Sequence, residues 1–186
     1  MAPSALPEWA RELAEPYMAP LGRRWTHVQR VARRAEELGA VVGGDDVPAL
    51  VAAAYLHDIG YAPDLAKSGF HPLDGARYLR EHGHERLARL VAHHTGARVE
   101  AQLRGFDDYL EEFPFEDTPM DQALTYCDLT TGPNGEPMAI RARVDEIRER
   151  YGPDHSLSLA VRACLGRFER DCADVERRLA RVTERT

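Results

Sequence analysis

One segment of the chain, LVAAAYLHD at 50–58, is apolar on every side until it ends in a histidine and an aspartate. A helix that is apolar all round lies in the centre of a domain, so the segment predicts a buried central helix. Burying the carboxylate of Asp58 without a partner would cost several kcal/mol. After His57 and Asp58, the next basic residue is Lys67. We therefore expect a metal ion to balance the charge of Asp58.

The remaining sequence also follows the helical period rather than the strand period. Apolar residues recur three to four positions apart over most of the chain, for example at about 24–42 and at 156–182. Glycine and proline residues separate these segments into helices of ordinary length. The pattern predicts an all-α helical bundle. Because no repeat or linker is visible, it also predicts a single domain over residues 1–186.

Composition and charge exclude several classes of protein. Hydrophobic residues make up 44% of the 186 residues and charged residues 30%, which is an ordinary globular composition. The net charge of −7 argues against binding to a nucleic-acid polymer, whose partners carry basic surfaces. No apolar stretch is long enough for a signal peptide or a membrane span. The three cysteines include no CxxC pair, so we expect a cytoplasmic protein without membrane contact.

Several histidines and aspartates lie on the apolar sides of separate predicted helices or at their ends. They are His27, His57, Asp58, His71, His94 and Asp128, and His93 stands next to His94. Each residue taken alone has an ordinary explanation, such as a hydrogen-bonded core histidine. Their joint occurrence favours a common partner, because inward-facing imidazoles and carboxylates in a helical bundle are typical metal ligands.

Five segments resemble, in this order, the successive motifs of the HD-domain metal-dependent phosphohydrolase superfamily. They are RWTHVQRVA at 24–32, LVAAAYLHDIG at 50–60, GFHPLDGARYL at 69–79, LVAHHTGA at 90–97 and ALTYCDLTTG at 123–132. The strings HDIG and HPLDGA are the most specific of them. The chain is therefore similar to a small, stand-alone HDIG-type member, with a motif core at about 24–132 and C-terminal helices at 139–183 packing on it.

This resemblance implies an HD-domain bundle with a metal site in its core. A first metal would be held by His27, His57, Asp58 and Asp128. Asp58 would bridge to a second metal held by His71 and His94, with His93 as a further ligand or a neighbouring group. The cofactor would be one or two divalent ions, of which Fe, Mn, Co, Ni, Zn and Mg all suit nitrogen and oxygen ligands to some degree.

The sequence departs from the family pattern at two places. Many members carry lysine or glutamate three residues after the HD aspartate, where this chain has Tyr61. No GYP motif is present, so the cyclic-dinucleotide activity of the HD-GYP enzymes is not expected. The general acid of some members is also unassigned, and Asp64 is the nearest acidic residue.

The first hypothesis for the function is hydrolysis of a phosphate ester in a nucleotide or another small phosphorylated metabolite. Asp58 and His93 would be catalytic, and Lys67 and Arg98 would bind the phosphate from loops that flank the metals. The alternative is a dinuclear-iron oxygenase of the HD fold that acts on a small organic substrate. A third hypothesis is a nucleotide sensor that binds without turnover. The apolar face of the C-terminal helix could also pair two chains into a homodimer.

Overall fold

The computed structural model describes residues 5–44 and 46–183, without the side chains of Ala40 and Thr183. Within these residues the chain forms α-helices joined by turns and short 3₁₀ segments, with no β-strand, so the prediction of an all-α fold is confirmed. The helices are α1 (Leu6–Met18), α2 (Arg23–Glu37), α3 (Gly39–Val42), α4 (Val47–Leu56), α5 (His71–Glu81), α6 (Glu85–His93), α7 (Ala97–Leu103), α8 (Tyr109–Glu112), α9 (Pro119–Leu129), α10 (Ile140–Tyr151) and α11 (Ser156–Thr183).

The apolar segment that predicts a central helix forms α4, in the middle of the bundle. Helices α1, α2, α6 and α9 pack around it, and the side chains of Leu50 and Leu56 are completely buried. Burying one leucine side chain contributes about 2 kcal/mol relative to leaving it in water. The burial of α4 therefore anchors the helix whose C-terminal end carries His57 and Asp58.

Two glycines let the turn after α4 approach α5 closely. Gly60 lies in a 3₁₀ turn at Ile59–Tyr61. A Cβ atom on Gly60 would lie 2.1 Å from the backbone oxygen of His71 and 2.7 Å from the backbone nitrogen of Gly75. Since no side chain fits in that space, the glycines of the HDIG and HPLDGA strings hold His71, the first residue of α5, beside the end of α4.

The second helix is shorter than its apolar pattern predicts. The pattern continues to residue 42, but α2 ends at Glu37 and the backbone of Leu38 is no longer helical. A Cβ atom on Gly39 would lie 3.0 Å from the side chain of Val47. The small residue thus lets the chain turn and continue as α3 against the start of α4.

The two C-terminal helices pack on the core and on each other. Helix α11 contacts α3, α7, α9 and α10. An apolar cluster joins three of these elements: Leu129 of α9, Val144 and Ile147 of α10, and Val161 and Phe168 of α11. In the part of the chain that the structure describes, no helix is both long and apolar enough to traverse a lipid bilayer.

Candidate metal centre

Six side chains converge beside the C-terminal end of α4, in two groups of three. The first group is His27 of α2, His57 after α4 and Asp128 of α9, and the second is Asp58, His71 of α5 and His94 after α6. Within each group the candidate ligand atoms all lie within 4.8 Å of one another, and every residue except the half-buried His71 is buried. These are the same six residues that the sequence pattern selects.

Hydrogen bonds leave two imidazole nitrogens of the first group as acceptors. His27 Nδ1 lies 3.0 Å from the backbone oxygen of Gly132, and His57 Nδ1 lies 2.8 Å from that of Ala54, so both Nδ1 atoms donate. In a neutral imidazole, Nε2 is then unprotonated. His27 Nε2 faces Asp128 Oδ1 at 3.0 Å. His57 Nε2 lies 4.0 Å from the same oxygen and is buried without a hydrogen-bond partner among the described residues.

The second group lies around Asp58. His94 Nδ1 donates to the backbone oxygen of Val91 at 2.6 Å, and His94 Nε2 lies 3.2 Å from His71 Nε2. Asp58 Oδ1 is 3.4 Å from His71 Nε2 and 3.9 Å from His94 Nε2. His57 Nε2 is 3.7 Å from the same oxygen, so Asp58 lies between the two groups.

The other oxygen of Asp58 meets a guanidinium group. Arg24 Nη1 donates to Asp58 Oδ2 at 2.6 Å, and Arg24 Nη2 donates to the hydroxyl of Tyr151 at 3.3 Å. This corrects the expectation that a metal ion must supply all the positive charge near Asp58. Burial would raise the pKa of Asp58, but Arg24 and the neighbouring histidines hold it well below its usual value. Asp58 is therefore a carboxylate at neutral pH.

Asp128 is oriented by a hydroxyl and lies near a second guanidinium. Thr95 Oγ1 donates to Asp128 Oδ2, and Arg143 Nη2 lies 3.9 Å from Asp128 Oδ1. Burial would raise the pKa of Asp128, but the contact with His27, the nearby imidazole of His57 and the guanidinium of Arg143 lower it far below its usual value. Both carboxylates of the centre are thus ionised.

The hydrogen bond from Thr95 depends on an unusual backbone conformation. Thr95 has φ 48° and ψ 46°, and Gly96 after it has φ 78°. A left-handed conformation is rare for a β-branched residue and costs about 1–3 kcal/mol. The conformation ends α6 sharply, so that His94 joins the second group while Thr95 reaches Asp128.

The protonation states of the two aspartates and of His57 and His71 fit a divalent ion. Burial lowers the pKa of His57, and it lowers that of His71 well below the usual value. Both rings are therefore neutral at pH 7, as metal ligands must be. The Nδ1–H groups of His27, His57 and His94 donate to backbone carbonyls, which fixes the ring orientations as in many metal sites. A cation would satisfy the partnerless His57 Nε2 and separate the facing lone pairs.

The sequence model of the HD domain matches residues 24–145, which is more than half of the chain. The chain belongs to the HD-domain family. This confirms the resemblance carried by the five sequence motifs, and the HD-domain match continues beyond them to include Arg143 of α10. No curated protein and no solved structure matches the chain significantly.

The structure does not bring His93 to the six residues of the HD-domain centre. His93 precedes His94 on α6, but its Nε2 donates to the backbone oxygen of Phe113 at 2.6 Å. Its ring packs edge-on against Tyr109 and Phe115. Neighbouring residues on a helix project in different directions, so the break after His93 leaves only His94 in the centre.

Lys67 and Arg98 also lie away from this centre. The side chain of Lys67 is 74% exposed, and its ammonium lies 4.0 Å from Glu81. The guanidinium of Arg98 lies over the ring of Phe115 at 4.9 Å. Their proximity in sequence to ligand residues does not place them in the cleft, whose lining includes neither of them.

The cleft beside the HD-domain centre is lined by residues that the sequence reasoning missed. They are Arg24, Glu100, Arg143, Arg150 and Tyr151, and the cleft also contains Tyr61, which stands where many family members carry lysine or glutamate. The sequence spacing does indicate Arg24, because this residue lies one turn before His27 and so shares its helix face. The spacing also indicates Arg143 and Arg150, because they lie two turns apart on one side of α10 with Ile147 between them. No sequence pattern indicates Glu100, because nothing in its local sequence distinguishes it from a surface acid.

Proposed function

We propose that this HD-domain protein is a metal-dependent hydrolase that removes phosphate from a small phosphate ester. The observation that carries the proposal is the position of Arg24 and Arg143 beside the carboxylates of the two ligand groups. Arginine binds phosphoryl oxygens in a forked geometry that suits phosphate better than most other ligands. A cleft in which guanidinium groups lie beside metal ligands suits a phosphoryl group.

The six side chains would hold the ions, and the remaining groups would bind the substrate. When bound in such a site, divalent ions supply Lewis-acid chemistry, in which water is acidified and phosphoryl oxygens are polarised. Arg24 and Arg143 would bind the phosphoryl oxygens and stabilise the charge that develops on them. Thr95 would keep Asp128 in its orientation throughout.

Two further groups in the cleft can hold or move a proton. Tyr61 stacks on His71 with ring centroids 3.9 Å apart, and its pKa is raised well above the usual value by burial and by the charge of Asp58. It therefore keeps its proton and can donate to a substrate oxygen. Glu100 is buried, lines the same cleft and accepts a hydrogen bond from Ser156 at 2.9 Å.

The size of the neighbouring cavity favours a small substrate over a polymer. A cavity of about 380 Å³ adjoins the cleft and shares Arg24, Arg143, Arg150 and Tyr151 with it. This volume is at the low end of the range for small-molecule sites. We therefore expect a phosphorylated metabolite or a nucleotide monophosphate.

The test is phosphate release from a panel of phosphate monoesters by the metal-loaded protein, with the EDTA-treated protein as a blank. We expect release to require metal and to fall by at least about a hundredfold in Arg24→Gln, because about 3 kcal/mol of phosphoryl stabilisation is lost. The control is His82→Ala, an exposed histidine outside the cleft. Equal release from wild type and Arg24→Gln would contradict the proposed role of this guanidinium.

The two-group arrangement of nitrogen and oxygen ligands also suits the second candidate, a dinuclear-iron oxygenase. The same panel, extended to phosphonates and to small organic compounds without phosphate, distinguishes the two when the iron-loaded protein is assayed with and without oxygen. Phosphate release without oxygen supports the hydrolase. Oxygen consumption that depends on an organic substrate supports the oxygenase, and tight nucleotide binding without turnover supports a sensor.

A further inference from the structure

The cavity beside the metal centre is more cationic than a single phosphate ester requires. Eight described residues line it: Leu21, Arg23, Arg24, His27, Pro133, Arg143, Arg150 and Tyr151. Four of them are arginines, and none of these eight is acidic. Since Arg24 and Arg143 lie beside Asp58 and Asp128, the guanidinium groups of Arg23 and Arg150 remain for another part of a ligand.

Two arginines of α10, the buried Arg143 and the half-buried Arg150, share a single carboxylate, that of Glu146. The side chain of Arg143 is only 7% exposed, and that of Arg150 is 23% exposed. Glu146 accepts from Arg143 Nη1 at 2.5 Å and lies 3.3 Å from Arg150 Nε. Even so, the Nε atoms of Arg143 and Arg150 are buried without a hydrogen-bond partner among the described residues. Glu146 alone pairs with both guanidinium groups, and a charged donor without a hydrogen bond is costly, so a bound anion would complete their pairing.

Arg23 of α2 adds a further guanidinium group to the lining of the cavity. It is exposed at the start of α2 and forms no ion pair with any residue in the described ranges. The unpaired Arg23 and the half-buried Arg150 line the same cavity, where their like charges repel each other. A bound anion would relieve that repulsion for both.

We propose that the substrate carries a second anionic group, a phosphate or a carboxylate, which Arg23 and Arg150 bind while the phosphate ester lies at the metal centre. This inference rests on the proposed hydrolase function and narrows its substrate class to small bis-anionic molecules. Because an arginine pairs with a phosphate or a carboxylate through the same forked hydrogen bonds, both anions are included.

The experiment compares probes that differ only in the second anion. Propyl phosphate, propane-1,3-diol bisphosphate and 3-(phosphonooxy)propanoate are titrated calorimetrically into the metal-loaded protein, and probes that the protein hydrolyses are ranked by KM instead. We expect at least one of the two bis-anionic probes to bind about tenfold or more tightly than propyl phosphate, which one or two charge-assisted hydrogen bonds supply. Equal affinity for all three probes would overturn the proposal.

Variants locate the second anion. Arg150→Gln and Arg23→Gln should each remove most of the preference for the bis-anionic probe while leaving the affinity for propyl phosphate unchanged. Arg148→Gln is the matched control, because Arg148 lies on the same helix but pairs with Asp145 outside the cavity. Because Arg23 is exposed, we expect Arg23→Gln to keep the fold. It therefore tests the proposal even where Arg150→Gln does not fold. A preference that survives in Arg23→Gln and in a folded Arg150→Gln would also overturn the proposal.

The two proposals fail in different ways. If propyl phosphate and the bis-anionic probes bind but no ester is hydrolysed, the hydrolase function fails and the anion preference stands as a property of a sensor. If propyl phosphate is hydrolysed and the bis-anionic probes bind no more tightly than propyl phosphate, the hydrolase function is supported and the proposed second anion site is ruled out.

Discussion

At the residue scale, the centre is a group of hydrogen-bond acceptors, imidazole nitrogens and carboxylate oxygens, that lie close to one another. Backbone carbonyls lie within hydrogen-bond distance of Nδ1 of His27, His57 and His94, so in the neutral form of each ring Nε2 is left as an acceptor. An assembly of this kind is unfavourable without a cation, because buried acceptors lack donors. The guanidinium of Arg24 donates a hydrogen bond to only one oxygen of Asp58, Oδ2.

The buried histidines predict how the stability of the metal-free protein depends on pH. Burial lowers the pKa of His57, His71 and His93 below the value of about 6.5 that histidine has in an unfolded chain. Between pH 5 and 7 the unfolded state then binds more protons than the folded state, so stability rises with pH. Each histidine contributes a slope of at most about 1.4 kcal/mol per pH unit.

Urea denaturation in EDTA at several pH values measures this slope. His71→Gln should flatten it, while His82→Gln, at an exposed position, should leave it unchanged. The aspartates contribute little to this slope, because the pKa of an unfolded aspartate, about 3.9, lies below the pH window of the experiment. A free energy of unfolding that is constant from pH 5 to 7 would show that these histidines are not buried in the neutral form.

At the element scale, each ligand is delivered by a helix end or a helix face. Arg24 and His27 lie one turn apart on α2, and His57 and Asp58 follow α4. The contact between Gly60 and Gly75 sets His71 against Asp58. Helix α9, which carries Asp128, starts with a capping box in which Thr118 and Asp121 exchange hydrogen bonds, an arrangement that contributes about 1 kcal/mol.

The glycine contact predicts a specific loss of metal. Gly60→Ala places a Cβ atom 2.1 Å from the backbone oxygen of His71, so α5 must move away from Asp58. We expect the metal content to fall by about one equivalent, with the stability lowered by about 1–3 kcal/mol as in other overpacked sites. Gly166→Ala is the control, since its nearest neighbour is the flexible end of Arg170 at 3.7 Å. Full metal content in Gly60→Ala would exclude this positioning role.

Helical periodicity predicts these elements well but not the contacts between them. The inward positions of His27, His57 and Asp128 follow from their spacing to apolar neighbours on the same helix, which is local information. The pairing of Arg24 with Asp58 spans 34 positions, so local pattern could not find it. The break of α2 at Leu38 was missed because its cause, the packing of Gly39 on Val47, is a tertiary contact.

At the scale of the whole molecule, the C-terminal helices complete both the core and the cleft. Helix α10 supplies Arg143 and Arg150 to the cleft, while α11 buries Phe168 against α10 and α9. Cys172 and Val175 of α11 join the main core around α4. The prediction of one domain therefore requires that α10 and α11 unfold together with the motif core.

Two spectroscopic probes test this cooperativity. Both tryptophans lie in the N-terminal helices, Trp9 in α1 and Trp25 in α2, whereas circular dichroism reports on all helices, including the long α11. Fluorescence and circular dichroism should give coincident urea transitions, as expected for one cooperative unit. A separate dichroism transition that leaves the tryptophan signal unchanged would indicate an independent C-terminal unit, and the single-domain prediction would be wrong.

The central claim is that the two groups of side chains bind divalent ions with Asp58 between them, and metal stoichiometry tests it most directly. Wild type, Asp58→Ala, His71→Ala and the loop control Asp64→Ala are loaded with Mn²⁺ or Fe²⁺, dialysed and analysed for metal per chain. We predict that Asp58→Ala loses essentially all metal, that His71→Ala keeps about one equivalent less than wild type, and that Asp64→Ala matches wild type. Full occupancy in a folded Asp58→Ala would contradict the assignment of the centre.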